Sequence, residues 1–138
     1  MKDIAELLAR VLIAFVFIYE AIDAMVFYGK TSATMTAYGI VWQQETLLNV
    51  LITILFVGGI LVLIGYYARF GAFLLLIYWL PFTLIVYSFW DDALEYKRLH
   101  ALYFMRNLAL CGGLFLLIAN GAGKYSVKSL IYTLRLPR

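Results

Sequence analysis

The sequence predicts an all-α polytopic membrane protein, a bundle of four transmembrane helices with both termini in the cytoplasm. Three observations predict it. Of the 138 residues, 65% are hydrophobic and only 14% charged, against about 45–50% apolar and about 25% charged in a soluble domain. Four apolar stretches each approach the ~20 residues that cross a bilayer as helix. Lysine and arginine, finally, are shared unevenly between alternate ends of those stretches. A soluble fold of this size has too little interior to hide so much apolar side chain, which excludes a soluble globular enzyme; a disordered chain is excluded by the same composition. The net charge is +3 and the basic residues are scattered, so no nucleic-acid partner is expected.

The spans fall at about 7–28, 47–66, 70–89 and 101–119, followed by an interfacial basic tail at 120–138. They lack the alternation of barrel strands, and helix satisfies every backbone group without water. The first span is too long for the apolar core of a signal peptide and no convincing cleavage site follows, so it counts as a helix of the bundle. The link 67–69 is short enough to force spans two and three into an antiparallel hairpin. Between spans one and two, Thr31 or Ser32 is placed to cap a short helix that Gly39 ends. Met35, Tyr38 and Trp42 suit a segment lying at the membrane interface. The link from Trp90 to His100 is polar, and Trp79-Leu80-Pro81 reads as a helix kink. The runs Gly58–Ile64 and Gly112–Ile118 echo one another; Gly58, Gly59, Gly112 and Gly113 are read as helix-packing glycines.

Orientation follows from charge. One side collects Lys2, Arg10, Arg69, Lys124, Lys128, Arg135 and Arg138, the other Lys30, Lys97 and Arg98. The positive-inside rule therefore places both termini in the cytoplasm of a multi-pass protein of the bacterial inner membrane. In the tail, Tyr125, Leu130, Ile131, Tyr132 and Leu134 interleave with the basic residues, a pattern for lying on the cytoplasmic leaflet.

Cofactor chemistry is sparse. With Cys111 the single cysteine and His100 the single histidine, one chain offers no disulfide, no cysteine-ligated cluster and no bis-histidine haem site. No dinucleotide or phosphate loop occurs, and Glu20, Asp23 and His100 show no metal-ligand spacing, so no metal is expected. Polar groups do occur inside the spans, where they are costly and mark candidate sites. Glu20 and Asp23 share a face of helix one, while Arg106 lies at similar depth in helix four. His100, Tyr103, Asn107 and Cys111 form a stripe beside Arg106, and Asn49 opens helix two. Glu20, Asp23, Asn49, His100, Tyr103, Arg106 and Asn107 are thus candidates for a ligand pocket in the outer half of the bundle. A buried ion pair of Arg106 with a carboxylate, fixing helix register, accounts for the same residues.

The chain resembles the DoxX-like membrane proteins, small four-helix bacterial proteins named for a subunit of a thiosulfate:quinone oxidoreductase. The resemblance rests on Arg10 opening helix one, the run Gly58–Gly65 with Arg69 after it, the Phe89-Trp90 pair, and Asn107–Leu114 leading to Gly121-Ala122-Gly123-Lys124-Tyr125-Ser126. Many members carry a Ser-Gly pair and then a lysine near the end of helix one, where this chain reads Tyr19-Glu20-Ala21-Ile22-Asp23-Ala24. Any role of that lysine does not transfer.

The resemblance implies a membrane subunit of a quinone-linked oxidoreductase, with a protein partner carrying the redox centre. No tightly bound cofactor is expected; the ligand that fits this reading is a quinone. Arg106, Asn107, Tyr103 and His100 would donate hydrogen bonds to it, and Glu20 or Asp23 would exchange protons. The alternative is a non-enzymatic scaffold or assembly factor, in which the polar cluster serves partner contact. Catalytic residues are not assigned. The bilayer is a partner on either reading, and a homo-oligomer is compatible with both. Transport fits less well, since the chain is small for a two-repeat transporter.

Overall fold

The apolar stretches form six α-helices joined by short links. The structure, a computed structural model, describes residues 1–135; Arg138 and the remainder of the expected tail lie outside the described residues. The helices are α1 (Lys2–Val26), α2 (Tyr28–Ala37), α3 (Gln44–Ile64), α4 (Ala68–Val86), α5 (Leu94–Asn120) and α6 (Val127–Arg135). A 3-10 turn at Phe89–Asp91 follows α4, and no strand occurs among the described residues. Three helices are long and apolar enough to cross a membrane: α3, α4 extended to Asp91, and α5. α1 and α2 meet at a 92° bend and qualify together as a fourth. α1 has the length alone, but Arg10, Glu20 and Asp23 punctuate its apolar run.

Several boundaries differ from those expected, each for a local reason. The first helix ends at Val26, and Tyr28 already belongs to α2. Thr31 and Ser32 therefore do not cap α2 but lie inside it, where the Thr31 hydroxyl donates to the Phe27 carbonyl at 3.2 Å. Gly39 does sit beyond the helix end, in the left-handed region at φ 79°. The polar link before the last span is partly helical, because α5 starts at Leu94 and Leu94-Glu95-Tyr96-Lys97-Arg98 contains no glycine or proline to stop it. Trp90 and Asp91 lie in the 3-10 turn that follows α4, and α4 itself runs on through Pro81.

Each long helix turns a narrow inward face to its neighbours and leaves apolar side chains outside. On α1 the buried positions are Arg10, Ala14, Phe17 and Ala21, while Leu8, Leu12, Phe15, Tyr19 and Ile22 are exposed. Both stripes have helical spacing. An apolar outer surface of this kind is matched by lipid, where packing rather than water exclusion drives helices together. α1 lies along α3, α3 along α4 and α4 along α5, whereas α1 and α5 touch sparingly. Phe17 and Trp79, in edge-to-face contact at 5.0 Å, centre the core with Leu75 and Leu114 around them.

Gly58 and Gly59 bring α3 close to the helices on either side. A Cβ at Gly58 would stand 2.8 Å from Leu75 Cγ, and one at Gly59 would stand 2.8 Å from Ile18 Cγ1. Gly71, which the spacing did not single out, answers Gly58 across the α3–α4 contact, 3.0 Å from its carbonyl by the same measure. Gly113 faces Ile13 of α1, but Gly112 faces open space and packs against nothing. The echo between the two glycine runs therefore does not extend to their packing.

The N-terminal end of α1, the α3–α4 turn, the end of α5 and α6 lie together at one end of the bundle, hereafter the terminal end. The tie is Arg10, which reaches the link between α5 and α6. α2, the 3-10 turn and the start of α5 form the opposite, loop end.

Candidate functional site

At the loop end α5 aligns His100, Tyr103, Asn107 and Cys111 on one inward face, the last two buried. Helical spacing dictates the stripe; the neighbours decide what it meets. His100 Nδ1 lies 2.5 Å from the Asp92 carboxylate, which reaches it from just beyond the 3-10 turn. Tyr87, just past the end of α4, meets His100 edge-on and Tyr103 at a tilt, with ring centres 5.9 and 5.5 Å away. Asn107 is fully buried, and its amide nitrogen has no partner among the described residues. Trp79 is almost as enclosed, and its indole nitrogen also has no partner among the described residues. Buried donors without acceptors are rare and invite a ligand or ordered water.

The expected ion pair does not form. Arg106 is exposed, and neither Glu20 nor Asp23 lies within ion-pair distance of it. Its guanidinium folds back over the Tyr103 ring at 5.0 Å and approaches the Asn107 side-chain oxygen at 3.4 Å. The reason is register: Arg106 sits one position off the inward stripe, and α1 and α5 barely touch. Glu20 and Asp23, half-buried on α1, nevertheless lie on the same side of the bundle. Glu20 is within electrostatic reach of Asp23, Arg106, Tyr78 and Tyr87. Asn49 stands apart, exposed on α3, where its backbone carbonyl accepts from the Thr53 hydroxyl at 2.7 Å.

Beside this cluster lies an apolar cavity of about 380 Å³ that the sequence did not reveal. It sits under α2, between α3 and α4, with Leu48, Ile52, Leu55, Pro81, Phe82 and Tyr78 among its walls. α2 is held over it by two devices. Tyr38 donates to the Val86 carbonyl at 3.0 Å. Gln44, at the start of α3, receives the Ser32 hydroxyl at 3.0 Å and donates to the Ser32 carbonyl and Thr36 hydroxyl, each at 2.8 Å. Tyr78 links the two regions, since it lines the cavity and packs edge-on to Trp79 and against Phe82, which in turn meets Tyr87 edge-on at 5.9 Å.

Tyr78, Tyr87, Asp92 and Gln44 are the residues that sequence reasoning missed at this end. Tyr78 and Tyr87 carried only the signal of aromatic residues near a span end, and Gln44 none. At the terminal end the missed residue is Arg10. It is 2% exposed and donates to the Ala122 carbonyl and, at 2.6 Å, to the Tyr125 carbonyl. Its spacing with Ala14, Phe17 and Ala21 was the available signal. Among the described residues no group of three or more acidic, histidine or cysteine side chains is placed to hold a metal.

Comparison with known proteins agrees with a helical membrane architecture. The DoxX family profile matches residues 5–88. The inner membrane protein YqjF of Escherichia coli (strain K12) is 30% identical over 131 residues, which cover 95% of each chain. No solved structure matches the chain. With a profile that takes in α1 to α4 and a relative similar along nearly the whole length, the chain belongs to the DoxX family of membrane proteins.

Proposed function

We propose that this protein is the membrane subunit of a quinone-linked oxidoreductase complex, and that the loop-end cluster with its adjoining cavity is the quinone site. The observation that carries the reading is Tyr78, which lines an apolar cavity and is joined through Phe82 to the rings of Tyr87, His100 and Tyr103. A quinone needs that combination: hydrogen-bond donors for its carbonyl oxygens and an apolar channel for its isoprenoid tail. The cavity is of the size at which small-molecule sites begin. Tyr103, Arg106 and Asn107 supply donors at one side of the head group, and Glu20 offers a proton-exchanging carboxylate at the other. The unpaired state of Arg106 supports the same reading, because a guanidinium already neutralised by Glu20 would have less to offer a ligand.

In this proposal the chain crosses the bacterial inner membrane four times, α1 with α2 counting as one crossing. The terminal end faces the cytoplasm, where Lys2, Arg69, Lys124, Lys128 and Arg135 gather. The relative's printed location supports the choice of membrane. Electron transfer belongs to a partner protein.

The test is mass spectrometry of lipids retained after mild purification in native membrane discs. Quinone near one per chain, lost in Arg106→Met and in Tyr78→Phe, is the expected result. Quinone at membrane background in the unaltered protein overturns the proposal and favours a non-enzymatic scaffold.

A further inference from the structure

A second concavity, unrelated to the loop-end cluster, opens at the terminal end. Its volume is about 780 Å³, and it lies between the α3–α4 turn, the α5–α6 link and the face of α6. Arg69 enters from the start of α4, and Lys128 and Arg135 from α6, with Ser129 and Tyr132 between them. Among the described residues no acidic side chain lines it. None of the three cations has a carboxylate within ion-pair distance among the described residues. Arg69 makes a single long bond, to the Ala119 carbonyl at 3.3 Å. Three like charges around one hollow repel one another, and an anion seated there reverses the sign of that energy.

The walls are built rather than loose. Arg10 grips the carbonyls of Ala122 and Tyr125 and so fixes the link that forms the floor. Ser126 caps α6, its hydroxyl accepting from the Ser129 amide at 3.2 Å and donating to the Gly123 carbonyl at 3.0 Å. On the facing side the turn contains two left-handed residues, Gly65 at φ 77° and Tyr67 at φ 52°. That conformation is costly for tyrosine and swings the chain sharply into α4, placing Arg69 at the rim.

The kind of anion follows from what adjoins the cations. Phe70 and Ile131 give the hollow an apolar side, and Leu130 and Leu134 stand exposed along α6. A helix with cations on one flank and bare apolar side chains on another lies in a bilayer interface. The anion found at that depth, attached to a chain that an apolar wall suits, is a lipid phosphate. We propose that this hollow binds the phosphodiester headgroup of an anionic phospholipid, held by Arg69, Lys128 and Arg135.

The full chain, purified in mild detergent, is titrated with cardiolipin, phosphatidylglycerol or phosphatidylcholine, and bound lipid is read by native mass spectrometry. The anionic lipids are expected to bind and phosphatidylcholine to be rejected. Attraction of roughly 1 kcal/mol for each basic residue predicts an affinity loss of about a hundredfold in the variant Arg69→Gln/Lys128→Gln/Arg135→Gln. The control Lys30→Gln/Lys97→Gln/Arg98→Gln removes equal charge from the loop end and should bind as the unaltered protein does. Equal loss in the control, or equal binding of phosphatidylcholine, overturns the site. Displacement of the lipid by millimolar inorganic phosphate overturns the choice of lipid in favour of a free anion. Lys128→Gln alone, at an exposed position, keeps the test valid if the triple variant does not fold: about fivefold weaker binding is expected, and unchanged binding rejects the site.

Discussion

Arg10 is a buried cation held by backbone oxygens instead of a carboxylate. Its two terminal nitrogens donate to Ala122 and Tyr125, and its Nε has no partner among the described residues. The position exists because Gly65 leaves room: a Cβ there would stand 2.6 Å from Arg10 Nη1 and 2.7 Å from Ser126 Cβ. Hydrogen bonds from charged donors contribute about 1.5–3 kcal/mol each, and removing a buried charge returns part of that. Arg10→Gln is therefore expected to cost about 2–3 kcal/mol net and to free the α5–α6 link. Limited proteolysis reads the second effect directly, as new cleavage between Gly121 and Ser126; a link that stays resistant would show that the clamp does not hold it. Depth along the chain was legible here, and helical spacing aligned Arg10 with Ala14, Phe17 and Ala21, but the backbone oxygens it would meet were not. Counting from the start of a span tells how far in a residue lies, not which neighbour it faces.

At the scale of elements, helix existence followed from composition, and helix contacts did not. Four glycines looked alike in the sequence, yet Gly58 and Gly59 sit against neighbouring helices and Gly112 against none. Gly58→Ala forces Leu75 or the whole of α4 to move and is expected to destabilise by about 1–3 kcal/mol. Gly112→Ala should be neutral or gain up to about 1 kcal/mol through helix propensity. Thermal unfolding of the two variants in one detergent checks this; equal effects would refute the packing assignment. α2 makes the same point. Its residues are too polar for a span, and its seat over the cavity depends on Gln44. Gln44→Ala removes the staple, and faster hydrogen exchange across α2, with α3 unchanged, is the expected signature.

For the whole molecule, the order α1–α3–α4–α5 with a sparing α1–α5 seam explains why charges on α1 and α5 share a region without pairing. Cys111 sits in the interior of this arrangement, 2% exposed among Phe17, Trp79 and Leu114. As the single cysteine it reports on opening of the bundle. A membrane-permeant maleimide should leave the folded protein essentially unlabelled and modify it fully after denaturation. Rapid labelling of the folded protein would mean that the seam opens far more readily than its packing implies.

The sequence by itself determined the all-helical class, the membrane environment and the family, because hydrophobic content and span length are set by the solvent and are read without knowing any contact. It also placed the polar stripe of α5, since helical periodicity alone aligns His100, Tyr103, Asn107 and Cys111. Tertiary structure alone decided that Arg106 leaves Glu20 and Asp23 unpaired, that Arg10 clamps the α5–α6 link, and that Asn49 faces away. It also supplied the two cavities. Those outcomes depend on which faces of different helices meet, and that is settled by small residues at close approaches and by rotation about each helix axis, neither of which leaves a period in the chain.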